Sequence, residues 1–143
     1  MNLYHASIFL GVLKKYHDLF KEKSNVLVSL AGETKERRAF LIDCRHMINS
    51  LIADSGAYSV AHGNSDLNLE QVISHLCLWG HCYDLYFNFD TDFSEEGFEN
   101  NIANQVKMER AGLKPVPVIH NFFDKEIDHY IITPAIKHVN EDL

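Results

Sequence analysis

The sequence predicts an α/β fold built on a parallel sheet, and three observations carry that prediction. Apolar runs of strand length alternate with helix-period segments about five times, in units of about 25–30 residues. The runs are continuously apolar rather than alternating, as strands covered on both faces read. Two of them end in an aspartate, Asp54 and Asp90, where parallel α/β folds place their chemistry.

Taken in order, Asn2 to Ser7 reads as a short first strand and Ile8 to Phe20 as a helix, with Leu10, Leu13, His17 and Phe20 at helical spacing. Asn25 to Leu30 (NVLVSL) is a second strand that stops at Ala31-Gly32. Glu33 to Met47 follows as a helix, with Phe40, Leu41 and Cys44 inward and Lys35, Arg37 and Arg38 on the wet face. Ser50 to Asp54 is the third strand, and Gly56 to Asn64 reads as a loop. A helix then begins near Ser65 to Asn68 and ends at Gly80.

Tyr83 to Asp90 (YDLYFNFD) is the fourth strand, and Ser94 is placed to cap a helix from Glu95 to about Ala111, with Gly112 just past its end. Lys114 to His120 is a fifth strand, although Pro115 and Pro117 are unusual inside a ladder. Asp124 to Asp128 allows a short helix, and His129 to Ile136 a sixth strand. Residues 1–136 thus form one α/β domain, and 137–143 a polar tail. An eight-unit barrel takes about 250 residues. This length allows five or six strands, either as an open sheet or as an incomplete barrel.

Composition narrows the function classes. The chain has 143 residues, 46% of them hydrophobic and 11% aromatic, enough for a core without disulfides or metal. A net charge of −7 gives no whole-molecule attraction to phosphate backbones or anionic membranes. Lys35, Arg37, Arg38 and Arg45 are the only modest basic patch. No signal-peptide core or membrane-length apolar run is present, and the odd number of cysteines (Cys44, Cys77, Cys82) fits free thiols in a reducing cytoplasm.

Asp54 and Asp90 end consecutive strands, which brings them to one mouth of a parallel sheet. Each could instead cap its own turn through an Asx motif. Asp92 is a third nearby acid, Asn88 lies in the same strand segment as Asp90, and His120 ends the following strand. The string Asp90-Thr91-Asp92-Phe93-Ser94 also fits the D-x-D-x-[ST] pattern of Mg²⁺-dependent aspartyl-phosphate phosphatases. His75, Cys77, His81 and Cys82 are dense in potential metal ligands. Their spacing matches no zinc template, so a core cysteine and surface histidines are expected, with no metal.

These residues also carry a resemblance. Ile52-Ala53-Asp54-Ser55-Gly56-Ala57-Tyr58 resembles the D-S-G-G-[FY]-Q stretch of tRNA-guanine transglycosylases, and Phe89-Asp90 their strand-end F-D. Asp54 to Ser59, Tyr83 to Asp90 and Met108 to His120 together are similar, in order, to the small phage-borne relatives of that superfamily. The resemblance implies a partial (β/α) TIM-type barrel that recognises guanine, a 7-deazaguanine or the nucleoside, related to base exchange at a ribosyl N-glycosidic bond. Asp54 would transfer protons and Asp90 would grip the Watson–Crick edge. Ser55, Gly56, Ala57, Tyr58, Asn88, Asp92 and His120 would complete the base site, with Gly56 and Ala57 letting the ring approach the backbone.

The family's nucleophilic aspartate comes from a later strand, and its zinc site is missing here, so the expectation is a truncated or partner-dependent relative with no cofactor. The partners implied are the base or nucleoside, with tRNA or DNA as carrier. An incomplete barrel would also expose apolar edges, so a homo-oligomer or a protein partner is expected, and no membrane. The competing reading is a non-catalytic phage-type protein that captures a nucleotide or a host protein in the host cytoplasm.

Overall fold

The computed structural model describes residues 2–32, 34–94 and 96–120, with 125, 129 and 130. Four parallel strands form one sheet in the order β1-β2-β3-β4: His5–Ala6, Ser24–Ser29, Ile48–Asp54 and Leu85–Tyr86. The sheet is mixed with helices α1 (Leu10–Phe20), α2 (Thr34–Arg38), α3 (Ala57–Ala61), α4 (Leu69–Trp79) and α5 (Gly97–Arg110). Each strand is joined to its neighbour by a helical crossover, the connection that parallel pairing requires.

The centre of the sheet is the β2–β3 pair, in register from Asn25↔Ser50 to Ser29↔Asp54. Val26 and Val28 of β2 and Leu51 and Ala53 of β3 face one way, into a core with Leu13, Phe40, Leu41, Val72, Leu76 and Met108 from the helical segments. Burying each large aliphatic side chain contributes about 1.5–3 kcal/mol. The alternate residues, Leu27 and Ser29 of β2 and Ser50, Ile52 and Asp54 of β3, lie outside that core, on the sheet's other face. There the Tyr4 hydroxyl and Ser50 Oγ are 2.8 Å apart.

Several expected elements are shorter or different. The strand expected over Tyr83 to Asp90 pairs as a ladder only at Leu85–Tyr86, with one further bridge from Phe87 to Val116. That bridge is what the described residues show of the fifth strand. Val116 turns its N–H and C=O toward this neighbour, donating to Tyr86 O at 2.8 Å and accepting from Asn88 N at 2.9 Å. Neighbouring residues of a strand point the other way, and at Pro115 and Pro117 they carry no N–H. The outer side of this segment therefore lacks ladder donors at both positions. The described residues show four paired strands rather than five or six; the short helix at Asp124 to Asp128 and the strand over His129 to Ile136 lie outside them or nearly so.

The segment expected as one helix from Glu33 to Met47 is divided. α2 widens at Ala39–Asp43, where the backbone makes π-type turns, and a 3₁₀ turn over Arg45–Met47 leads into β3. Gly56 to Asn64 is not all loop, because Ala57–Ala61 forms α3 directly behind the β3 end. α4 begins where expected: Asn68 Oδ1 accepts from Gln71 N at 3.0 Å, and Gln71 Oε1 accepts from Asn68 N at 3.0 Å, a reciprocal capping box. Gly112 leaves α5 with a φ of 85°, as its place after the last turn requires. Ser94 does not cap α5. Its N–H and hydroxyl donate to Asp92 Oδ1 instead, and Glu96 holds the N-cap position.

Candidate functional site

The sheet's carboxyl end converges on Asp54. Its main chain is fixed from the neighbouring strand, since its carbonyl accepts from Leu30 N at 2.9 Å. β3 then turns sharply through Ser55 and Gly56 into α3. Gly56 is left-handed, with φ of 79°. A β-carbon built on it would come within 2.6 Å of Ala31 Cβ and 2.7 Å of Ala31 N. The glycine is therefore required by the approach of the β2–α2 loop, whatever ligand binds nearby. Ser55 is buried, and its Oγ accepts from Ala57 N at 3.3 Å, closing the turn.

Asp90 reaches the same place from the β4 side. Beyond Phe87, α5 holds the chain through a row of amides. Asn88 Nδ2 donates to Asn101 O (2.9 Å), Asn104 Nδ2 to Phe89 O (2.7 Å) and Asn101 Nδ2 to Asp92 O (2.8 Å). Asp92 completes the turn, accepting from Ser94 on Oδ1 and from Asn100 Nδ2 at 2.7 Å on Oδ2. These hydrogen bonds also hold the Asp92 carboxyl below its ordinary range. Sequence reasoning did not single out this clamp. The signal was present as Asn100, Asn101, Asn104 and Gln105, amides at helical spacing, of which Asn101 and Gln105 are buried.

Asp54, Ser55, Ala57, Tyr58, Phe87, Asp90, Phe93 and Val118 line a cavity of about 320 Å³. Phe93 sits at its rim between two rings, edge-on to Tyr58 at 6.4 Å and to His120 at 5.4 Å between centroids. Tyr58 in turn stacks on His62 at 4.0 Å. His120 Nε2 lies 2.9 Å from Asp90 Oδ2. Asp54 also lines a second cavity of about 400 Å³ at the ends of β1 and β2, with Ser7, Ser29, Glu36 and Arg37 among its walls.

The structure thus brings together Asp54, Ser55, Ala57, Tyr58, Asp90 and His120 from the residues expected in a site. Gly56 shapes the turn behind them. Asn88 is buried against α5 and Asp92 is engaged by its own turn, so neither lines this cavity. Phe87, Phe93 and Val118, which also line the cavity, were not expected. They became visible only when the strand ends were placed side by side.

Electrostatics separate the two facing acids from ordinary surface carboxylates. Burial raises the Asp54 carboxyl, and the N–H groups of Gly56 and Ser55 partly oppose that shift. Burial likewise raises Asp90; its own backbone N–H and the charge and hydrogen bond of His120 pull the other way, and Asp54 pushes it up further. A group raised in the folded state stabilises the fold below its unfolded value, near 3.9 for aspartate. That contribution is lost as pH rises through the folded value. We therefore expect Asp54→Asn to raise stability at pH 7 by up to about 1 kcal/mol, an amount limited by solvent screening of this half-buried group. The gain should vanish near pH 4, as followed by urea denaturation across that range. Lower stability of the variant at neutral pH would contradict the burial argument.

Comparison with protein-family models, curated proteins and solved structures finds no match to this chain. The site has to be read from its own chemistry.

Among the described residues, no group of three or more His, Cys, Asp or Glu side chains is placed to hold a metal ion. In the dense run at 75–82, His75 Nε2 is 2.8 Å from the Tyr83 hydroxyl, and His81 Nε2 is 3.4 Å from Cys82 Sγ. Cys77 is exposed and Cys44 belongs to the core, and all three cysteines are unpaired. No helix among the described residues is long and apolar enough to cross a membrane.

Proposed function

We propose that the Asp54–Asp90 cavity recognises a guanine-like or 7-deazaguanine base, free or as the nucleoside. The observation that carries this reading is the meeting of a buried carboxyl, Asp90, and a half-buried one, Asp54, in one cavity lined by exposed aromatic rings. An ionised carboxylate accepts two parallel N–H groups at once. Guanine offers such a pair in N1–H and its exocyclic amine. Asp90, desolvated and steadied by His120, is suited to that edge, and these donors would offset the burial that raises its proton affinity. Tyr58 and Phe93 provide ring faces or edges for the base plane, an arrangement useful to any flat heterocycle.

In this reading Asp54 is the proton-transfer group. Its raised proton affinity lets it carry a proton closer to neutral pH than a surface aspartate could. Recognition requires only the cavity; exchange at a ribosyl N-glycosidic bond would in addition need a nucleophile on the sugar side. The resemblance of the Asp54, Asp90 and His120 segments to transglycosylases supports the same assignment, in a partner-dependent form and on tRNA or DNA as carrier.

The test is calorimetric titration of the chain with guanine, 7-deazaguanine derivatives and their nucleosides, alongside Asp90→Asn. Replacing one carboxylate oxygen by an amide N–H sets donor against donor at the base edge. Binding should fall by about 100-fold, the cost of an unpaired buried donor. Equal binding by Asp90→Asn, or no binding of any of these compounds by the parent chain, would refute the assignment.

A further inference from the structure

The first helix presents an apolar seam that the other described residues leave exposed. Phe9, just before α1, and Val12, Tyr16 and Leu19 within it stand at positions i, i+3, i+7 and i+10, the a and d spacing of a heptad. All four are exposed, Phe9 at 74% and Leu19 at 66%. Phe20 extends the seam at 61%, and Leu13 on the adjoining side of the helix is the residue buried in the core. The seam is therefore separate from the face that holds α1 to the sheet.

We propose that this seam is the contact surface for a second copy of the chain, with α1 packed antiparallel against its twin across a twofold axis. Two arguments select that occupant. The first is register. Phe9 and Leu19 are equidistant in sequence from position 14, and so are Val12 and Tyr16. An axis crossing the helix there sets each a residue opposite a d residue of the twin, which is how an antiparallel seam closes on itself. Antiparallel packing also opposes the two helix dipoles.

The exposed area selects the same occupant. A fully exposed aromatic side chain presents about 150–250 Å², so the exposed fractions of these residues come to roughly 500 Å² per copy. Two copies would bury about 1,000 Å² of apolar surface, the lower bound for a specific interface before any polar rim is counted. A lipid surface is disfavoured by the net charge of −7. The exposed patch is also a narrow seam rather than the wide apolar face of an interfacial helix.

The test is analytical ultracentrifugation of the full chain over micromolar concentrations. The parent should sediment as a concentration-dependent dimer. Val12→Glu and Tyr16→Lys should each weaken it by at least about tenfold, because each buries an unpaired charge at two symmetric positions. Both residues are exposed in the monomer, so circular dichroism should be unchanged; Val12→Ser supplies a milder variant. An equimolar mixture of Val12→Glu and Tyr16→Lys should recover dimer, since one of its two 12–16 contacts becomes an ion pair and the other is native. A parent that stays monomeric, variants that dimerise as well as the parent, or a mixture that fails to recover dimer would each overturn the proposal. So would binding of a monomeric parent to phosphatidylserine vesicles that Leu19→Glu abolishes.

Discussion

Gly56→Ala is expected to destabilise the chain by about 3 kcal/mol and to abolish ligand capture at the Asp54–Asp90 cavity. Two costs combine. A β-carbon in the left-handed region costs roughly 1–2 kcal/mol, and overpacking a closed contact costs about 1–3 kcal/mol more. The contact here is with backbone as well as side chain: the new methyl would lie 2.6 Å from Ala31 Cβ and 2.7 Å from Ala31 N. Neither is the free end of a flexible side chain. Relief requires the β3–α3 turn to separate from the β2–α2 loop, and Asp54, Ser55, Ala57 and Tyr58 would move with the turn. Urea denaturation measures the first effect and base titration the second. Ala31→Gly in the same chain should restore part of the stability by removing the Cβ contact, while the contact with Ala31 N persists. A stability change below about 1 kcal/mol would show that the turn can relax, and that the close approach is not what fixes the site.

Gly97→Ala should act from the other side of the same cavity. A methyl at position 97 would collide with the main-chain oxygen of Asp92 and come within 2.9 Å of Asp92 Oδ1. Asp92 is the post around which the chain turns from Asp90 to α5, bonded by Ser94, Asn100 and Asn101. The collision forces this turn away from the helix, costs about 2 kcal/mol, and shifts Asp90 and Phe93 together. Base binding should suffer more than stability does, because the core residues of α5, Met108 among them, lie farther along the helix. Paired denaturation and titration measurements check this. Loss of stability with intact binding would mean that the turn does not position Asp90.

Much of the architecture follows from short-range pattern. NVLVSL and the run ending in Asp54 are rich in β-branched and aliphatic residues, and they make the central strands of the sheet with one face in the core. Asn68 with Gln71 three residues on starts a helix, and Gly112 ends one by tolerating a positive φ. The convergence of strand-end acids was legible for the same reason, because parallel strands share one carboxyl end. Neighbouring residues settle these features by themselves.

What the chain does with those acids was decided at longer range. Asp54, Asp90 and Asp92 are indistinguishable as letters. Only the β2–β3 register, the Val116 bridge and the amide row of α5 turn the first two toward one cavity and commit the third to a turn. Asn88 looked like a ligand group from its place in the strand, yet α5 supplies an acceptor for its amide and draws it into the interior. Gly56 was legible as a turn residue, but the partner that forbids a side chain there is Ala31, twenty-five residues earlier. A parallel α/β sheet with acids at its mouth is legible in local pattern, because helix caps and strand patterns act within one turn or one strand. The tertiary structure decided which acids meet and which rings enclose them, because apposition across a sheet depends on contacts between segments that no local pattern records.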